Sequence, residues 1–272
     1  MPLRDCAPSR RVCADFAIAI RAPVAVPYGL RIEGYTEELT LPFRLRSPLK
    51  LNGSKIHSQN DEDGIIDAIF RDIQPVSRFF VEFGIGPHWQ DPNYTNGLEG
   101  NCIKLREEGW RGLLMDGQNH PEQYGIKREF ISALNINMLL RKYNVPDDID
   151  IISIDVDGQD FWIWMACQYR PTLIVIEYNS NFSSLEEKYT VPFEPSFRWD
   201  GTKYYGASLG ALVQLGSDKG YKLVYANGVN AFFVRSDMLD NSEDFRDEDL
   251  MLHVERHSRD DLDRPWLSLQ SS

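Results

Sequence analysis

Residues 148–164, DIDIISIDVDGQDFWIW, constrain the fold of this chain more than any other stretch. Ile149, Ile151, Ile152 and Ile154 make a short apolar run that ends in turn chemistry, as expected of a central strand buried on both faces. The run delivers Asp155, Asp157 and Asp160 to the carboxyl end of that strand, and open α/β sheets bind ligands there. Carboxylates so placed cost solvation unless they meet a metal, a proton or a hydroxyl-bearing ligand.

The surrounding pattern alternates. RFFVEF (78–83), RGLLMD (111–116), EFISAL (129–134), IDIISID (149–155) and PTLIVIEYN (171–179) read as strands. Between them, helical patterns run over 98–108, 135–143 and 161–169. An aromatic, Pro-bearing loop (180–204) leads to a helix that closes at Gly220. YKLVYA and NAFFVR then flank Asn227-Gly228, a tight hairpin signal. Upstream, SQNDEDGIIDAIFRDI predicts a helix capped by Asn60 or Asp61, with Ile65, Ile66, Ile69 and Phe70 on its apolar face. This order predicts an α/β fold: a doubly wound, seven-stranded sheet, mostly parallel, with one antiparallel edge strand from the C-terminal hairpin. Residues 56–238 form the domain. Residues 1–55 precede it as an arm or lid, or as a loosely ordered extension. Residues 239–272 follow as an acidic tail that Trp266 pins to the core.

With 29 basic against 41 acidic residues the net charge is −12, which argues against a nucleic-acid footprint and disfavours a polyanionic substrate. Cys6, Cys13, Cys102 and Cys167 show no paired CxxC spacing, so reduced thiols in the cytoplasm are the simpler expectation. No apolar run is long enough for a membrane span, and Asp5 and Asp15 interrupt the N-terminal apolar patch, against a targeting peptide. A homo-oligomer joined through residues 1–55 is a further expectation.

As a set, VEFGIG (81–86), GWRGLLMDG (109–117), IDIISIDVDGQDFWIW (149–164), PTLIVIEYN (171–179) and NAFFV (230–234) resemble the S-adenosylmethionine-dependent methyltransferases of the Rossmann-like class. Within that class they look most like the FkbM-type branch and its small-molecule O-methyltransferase relatives. The resemblance implies S-adenosylmethionine as cofactor and a hydroxyl of a sugar, nucleoside-like compound or other secondary metabolite as acceptor.

On this resemblance Glu82, Gly84 and Gly86 form the cofactor loop, with Glu82 toward the ammonium of the methionine half. Pro87 and His88 stand where a third glycine is often found. Asp116 would hold the ribose hydroxyls, since a carboxylate offers two acceptors to a vicinal diol. Asn101 matches a position near the methionine carboxylate, and Asn135 one that meets the adenine edge; each is equally readable as a helix cap. Asp155, Glu177 and Asn179 match the strand-end ligands that hold Mg²⁺ in metal-assisted relatives. Oxygen-only ligands suit that ion and are poor for zinc. Without a metal, Asp155, Asp157, His88 or His120 would serve as the base.

Two other readings stand beside this one. SIDVDGQD looks like the D-x-D-G motif of haloacid-dehalogenase-type phosphatases, although Gln159 replaces their usual Thr and the motif sits in the fourth strand. A non-catalytic Rossmann-like module that binds no methyl donor is the second.

Overall fold

The computed structural model describes residues 54–85, 98–182, 184–240 and 264–269. Residues 1–53, which hold nearly all of the N-terminal extension, lie outside the described residues, as do Gly86, His88, Trp89, Tyr94 and most of the acidic tail.

Seven strands form one sheet: β1 (Phe79–Phe83), β2 (Arg111–Asp116), β3 (Lys127–Arg128), β4 (Ile151–Ile154), β5 (Leu173–Glu177), β7 (Tyr221–Ala226) and β8 (Asn230–Arg235). Their spatial order is β3-β2-β1-β4-β5-β8-β7. From β3 to β5 every neighbouring pair is parallel. The residues of β4 are all buried, as an unbroken apolar run between two covered faces requires.

The hairpin departs from expectation in one respect. The antiparallel strand is not at the edge: β8 lies between β5 and β7, antiparallel to both. The edge strand β7 therefore runs parallel to β5. Burial explains the order. NAFFVR is buried from Asn230 to Val234 and takes the inner place, whereas YKLVYA has half-buried Lys222 and Tyr225 among its buried positions and suits an edge.

Helices cover both faces. On one, Ile65, Ile69 and Phe70 of α1 (Glu62–Asp72) and Ile103 and Leu105 of α2 (Ile103–Glu107) share a core with Phe80, Ile151, Val175 and Phe232. On the other, Trp164 of α4 (Asp160–Ala166) packs at 4.9 Å against Phe233, and Gly216 of α5 (Leu209–Lys219) lies against both rings. The helix α3 (Ile136–Lys142) lies between β3 and β4 in the chain. Ser208 caps α5 by accepting from the Ala211 amide, and Gly220 ends it in the left-handed region at φ +79°. Asp61 is the N-cap of α1 without a side-chain cap bond. Instead Asp63 Oδ2 gathers the amides of Ile56, His57 and Ser58.

The third strand is two residues long, not 129–134. The Glu129 amide still donates to Asp116, but Asn135 Oδ1 then takes the Ser132 amide and the chain turns away. An edge position needs no apolar run, so Ile131 and Ala133 are buried in a loop instead. A second, two-stranded antiparallel sheet pairs β6 (Tyr189–Thr190) with β9 (Leu267–Ser268). Trp266 packs against Phe182 and Tyr204 at 4.9 and 4.8 Å, so the tail is held at this point as expected. Among the described residues no helix is long and apolar enough to cross a membrane.

Candidate functional site

The strand order reverses between β1 and β4: the chain builds outward to β2 and β3 on one side and to β5 on the other. A crevice opens outside the carboxyl ends at such a point. Gly84 sits at its floor, at φ +81°. A Cβ there would lie 1.1 Å from the Asp155 carbonyl oxygen, so only glycine lets the exits of β1 and β4 come this close.

Glu82, two residues earlier on β1, is buried and committed. Its carboxylate accepts from the amides of Asn101 at 2.6 Å and Cys102 at 3.0 Å, which anchors the start of α2 to β1. Burial pushes its pKa up to about 7, against the pull of those two amides. Asn101 in turn donates to Ser153 Oγ on β4 at 3.0 Å. Asp116, at the end of β2, is 7 % exposed and accepts from the Gln118 amide. His120 Nε2 stands 3.2 Å from its Oδ1 with a side chain only 2 % exposed, and neither ring nitrogen completes a hydrogen bond among the described residues.

Beyond β4 and β5 the acids converge. Asp155, Asp157 and Glu177 each bring a carboxylate oxygen within 4.8 Å of the others. Asp160 shapes this turn from beneath, accepting from the amides of Val156 at 2.8 Å and Gly158 at 2.9 Å. The turn holds Asp157 in the left-handed region at φ +54° and aims an exposed carboxylate outward. Burial, then the neighbouring Asp160 and Asp157 charges, holds the Asp155 carboxyl well above its ordinary range. Burial and the Asp155 charge do the same to Glu177, and Asp160 is raised to about 6, chiefly by burial. Burial and the Glu177 and Asp155 charges also raise the Tyr205 phenol, which borders the cluster.

Asn179 does not join these acids. It is fully buried, its Nδ2 donates to the carbonyls of Lys203 and Tyr205, and its Oδ1 accepts twice from Asn181. Those bonds hold the 180–205 loop to β5, and Asp157 stands in the cluster where Asn179 was expected. Asn135 is likewise engaged, donating to the Phe130 carbonyl at 2.7 Å besides accepting from Ser132. It thereby sets one wall of an apolar groove lined by Phe130, Ile131, Val156, Phe193 and Phe197.

Gln159 closes the groove from the far side, donating to the Pro192 carbonyl and accepting from the Glu194 amide. Arg198 lies over the Phe130 ring, 3.7 Å from its centroid. Phe193 and Phe197 belong to the aromatic, Pro-bearing loop read over 180–204. Phe130 is not legible as a groove wall, because EFISAL reads as a strand. Comparison of the chain with models of known families, with curated proteins and with solved structures finds no match in any of the three.

Proposed function

We propose that this chain is an S-adenosylmethionine-dependent methyltransferase of Rossmann-like, doubly wound architecture that acts on a hydroxyl of a small molecule. One observation carries the reading. Asp116 on one side and the Asp155–Asp157–Glu177 cluster on the other flank the Gly84 turn, at the reversal of a β3-β2-β1-β4-β5 sheet. A buried strand-end carboxylate with two acceptors suits the ribose diol. The apolar groove beside it, walled by Phe130, Val156 and Phe197, suits a flat heterocycle. The acidic edge stabilises a sulfonium, and the net charge of −12 favours a cationic cofactor over a polyanionic substrate.

On the acceptor side the cluster supports two duties. Its three oxygens fit a magnesium ion, and Glu177 Oε2, buried and unpartnered among the described residues, is the atom that most needs one. When bound, such an ion supplies Lewis-acid polarisation of an acceptor hydroxyl. Without a metal, the carboxylates take the acceptor proton themselves. As the acceptor oxygen bonds to the methyl carbon and the carbon–sulfur bond breaks, the hydroxyl proton passes to Asp157, the exposed member. Alignment of oxygen and methyl carbon does much of the work, and the 192–205 loop, pinned by Gln159 and Asn179, orients the acceptor.

Titration calorimetry with S-adenosylhomocysteine tests this reading. The wild type is expected to bind, Asp116→Ala to lose at least about tenfold in affinity, and Asp155→Asn to bind nearly as well as wild type. Absence of binding by the wild type overturns the reading. The D-x-D spacing of Asp155 and Asp157, with Glu177 beside them, favours a phosphatase as the second reading. Hydrolysis of an aryl phosphate that Asp155→Asn abolishes would establish it instead.

A further inference from the structure

Two buried oxygens on adjacent strands complete no hydrogen bond among the described residues: Oε2 of Glu177 and Oδ1 of Asn230. These residues are register partners across β5 and β8. Directly opposed residues project to the same face, with Cβ atoms about 4.5–5.5 Å apart. Asp155 follows Ile154, whose partner on β5 is Ile176, so it stands beside Glu177 on the other flank. Glu177 is thus bracketed by Asp155 and Asn230.

The orientation of the Asn230 amide is set by its partner. Its Nδ2 donates to Glu62 Oε1 at 3.0 Å, and a carboxylate oxygen only accepts, so the nitrogen must face Glu62 and Oδ1 turns away from it. The main chain is fixed as well, the Asn230 amide donating to Asn227 Oδ1 at 2.8 Å. Asn230 is 3 % exposed, so no bulk solvent satisfies the oxygen. Both orphaned atoms are acceptors, and they adjoin carboxylates that already repel one another. A hard cation answers all of these at once, and a neutral amide adds a ligand without adding a fourth negative charge.

We propose that Asn230 Oδ1 is the fourth protein oxygen of a divalent-cation site shared with Asp155, Asp157 and Glu177, selective for the magnesium and manganese class. Glu62 is its orienting partner, as outer carboxylates commonly are for ligating side chains. The proposal rests on the metal half of the reading above and leaves the methyl donor aside.

Manganese binding by the full-length chain, followed by the loss of free-ion electron paramagnetic resonance signal, tests it. Asn230→Ala is expected to weaken Mn²⁺ binding roughly tenfold or more. Asn60→Ala removes another side-chain donor to the same Glu62 oxygen, at 3.3 Å, while leaving the bonds of Asn230 in place, and is expected to stay within about twofold of wild type. Asp155→Asn is expected to abolish binding. Wild-type affinity in Asn230→Ala overturns the proposal, as does an equal loss in Asn60→Ala, which would make Asn230 a support for Glu62 only. Where the alanine variant does not fold, Asn230→Val, which fills the space of the amide with no ligating atom, is read by the same outcomes. A wild type that binds no Mn²⁺ removes the cation site altogether. Calorimetry with S-adenosylhomocysteine then decides the methyltransferase reading separately.

Discussion

The residue Glu82 combines burial with two charge-stabilising amides, and burial wins, which ties stability to pH. Its pKa rises from 4.5 to about 7 on folding. Below pH 4.5 both folded and unfolded chains carry the proton. Between there and about 7 the unfolded chain has released it and the folded chain still holds it, so stability falls as pH rises through this window. The contribution lost is about 3 kcal/mol across the window. Glu82→Gln lacks this titration, so urea midpoints of wild type and variant, measured from pH 4.5 to 7, are expected to converge or cross rather than run parallel. Parallel curves would show that Glu82 ionises at its ordinary pKa. Asp157 shows the same economy at the mouth of the site. A non-glycine residue at φ +54° is held there by two bonds to Asp160, and such local strain is common where a side chain must be aimed.

Among the elements, the tight fit of the β4–α4 turn makes glycine indispensable twice. A Cβ on Gly158, at φ +153°, would lie 2.2 Å from the Phe197 ring. Gly158→Ala is therefore expected to displace the 193–204 segment and open the apolar groove, at a cost of about 1–3 kcal/mol and with weaker binding of S-adenosylhomocysteine. Gly84→Ala meets backbone rather than a movable ring and is expected to cost more, roughly 4 kcal/mol or above, seen as lost soluble protein or a steep drop in Tm. Unchanged Tm in either would contradict the packing described.

The same contrast separates what the sequence discloses from what it hides. Strands β4 and β5, the stop of α5 at Gly220 and the Asn227-Gly228 hairpin follow from local chemistry, and the structure has them. EFISAL misleads because an apolar run signals burial, and burial in a loop beneath the 193–197 segment has the same signature as burial in a strand. The inner place of β8 depends on which hairpin arm is more buried, a tertiary choice. Asp155, Asp157 and Glu177 are legible as strand-end acids. Asn179 and Asn230 are not separable by sequence, since one amide satisfies a loop and the other, across the sheet, keeps a free oxygen.

For the molecule as a whole, the acidic carboxyl edge costs stability. Burial and mutual repulsion hold Asp155 and Glu177 well above the ordinary carboxylate range, and burial and the Asp116 charge raise Asp157 in the same direction. The folded chain therefore retains protons there that the unfolded chain releases, and the metal-free protein loses stability as pH rises above the unfolded values. Under the proposed cation site, a divalent ion would reverse the balance, binding the ionised cluster of the folded state and stabilising it by mass action. Binding must expel the retained protons, so apparent affinity is expected to strengthen with pH and to fade toward acid.

Asp155→Asn separates the two effects. It removes one repelling charge, so without metal its Tm at pH 8 is expected to exceed that of wild type by a few degrees, given that about 1 kcal/mol shifts Tm by roughly 2–4 °C in a chain of this size. In millimolar Mg²⁺ the wild type is expected to gain Tm and the variant to gain none, with the wild-type gain larger at pH 8 than at pH 6. Scanning calorimetry over those four conditions reads both. A variant that is less stable than wild type without metal would mean that Asp155 is held by partners in the folded chain rather than strained against its neighbours. An equal Mg²⁺ gain in both proteins would move the cation away from the end of β4.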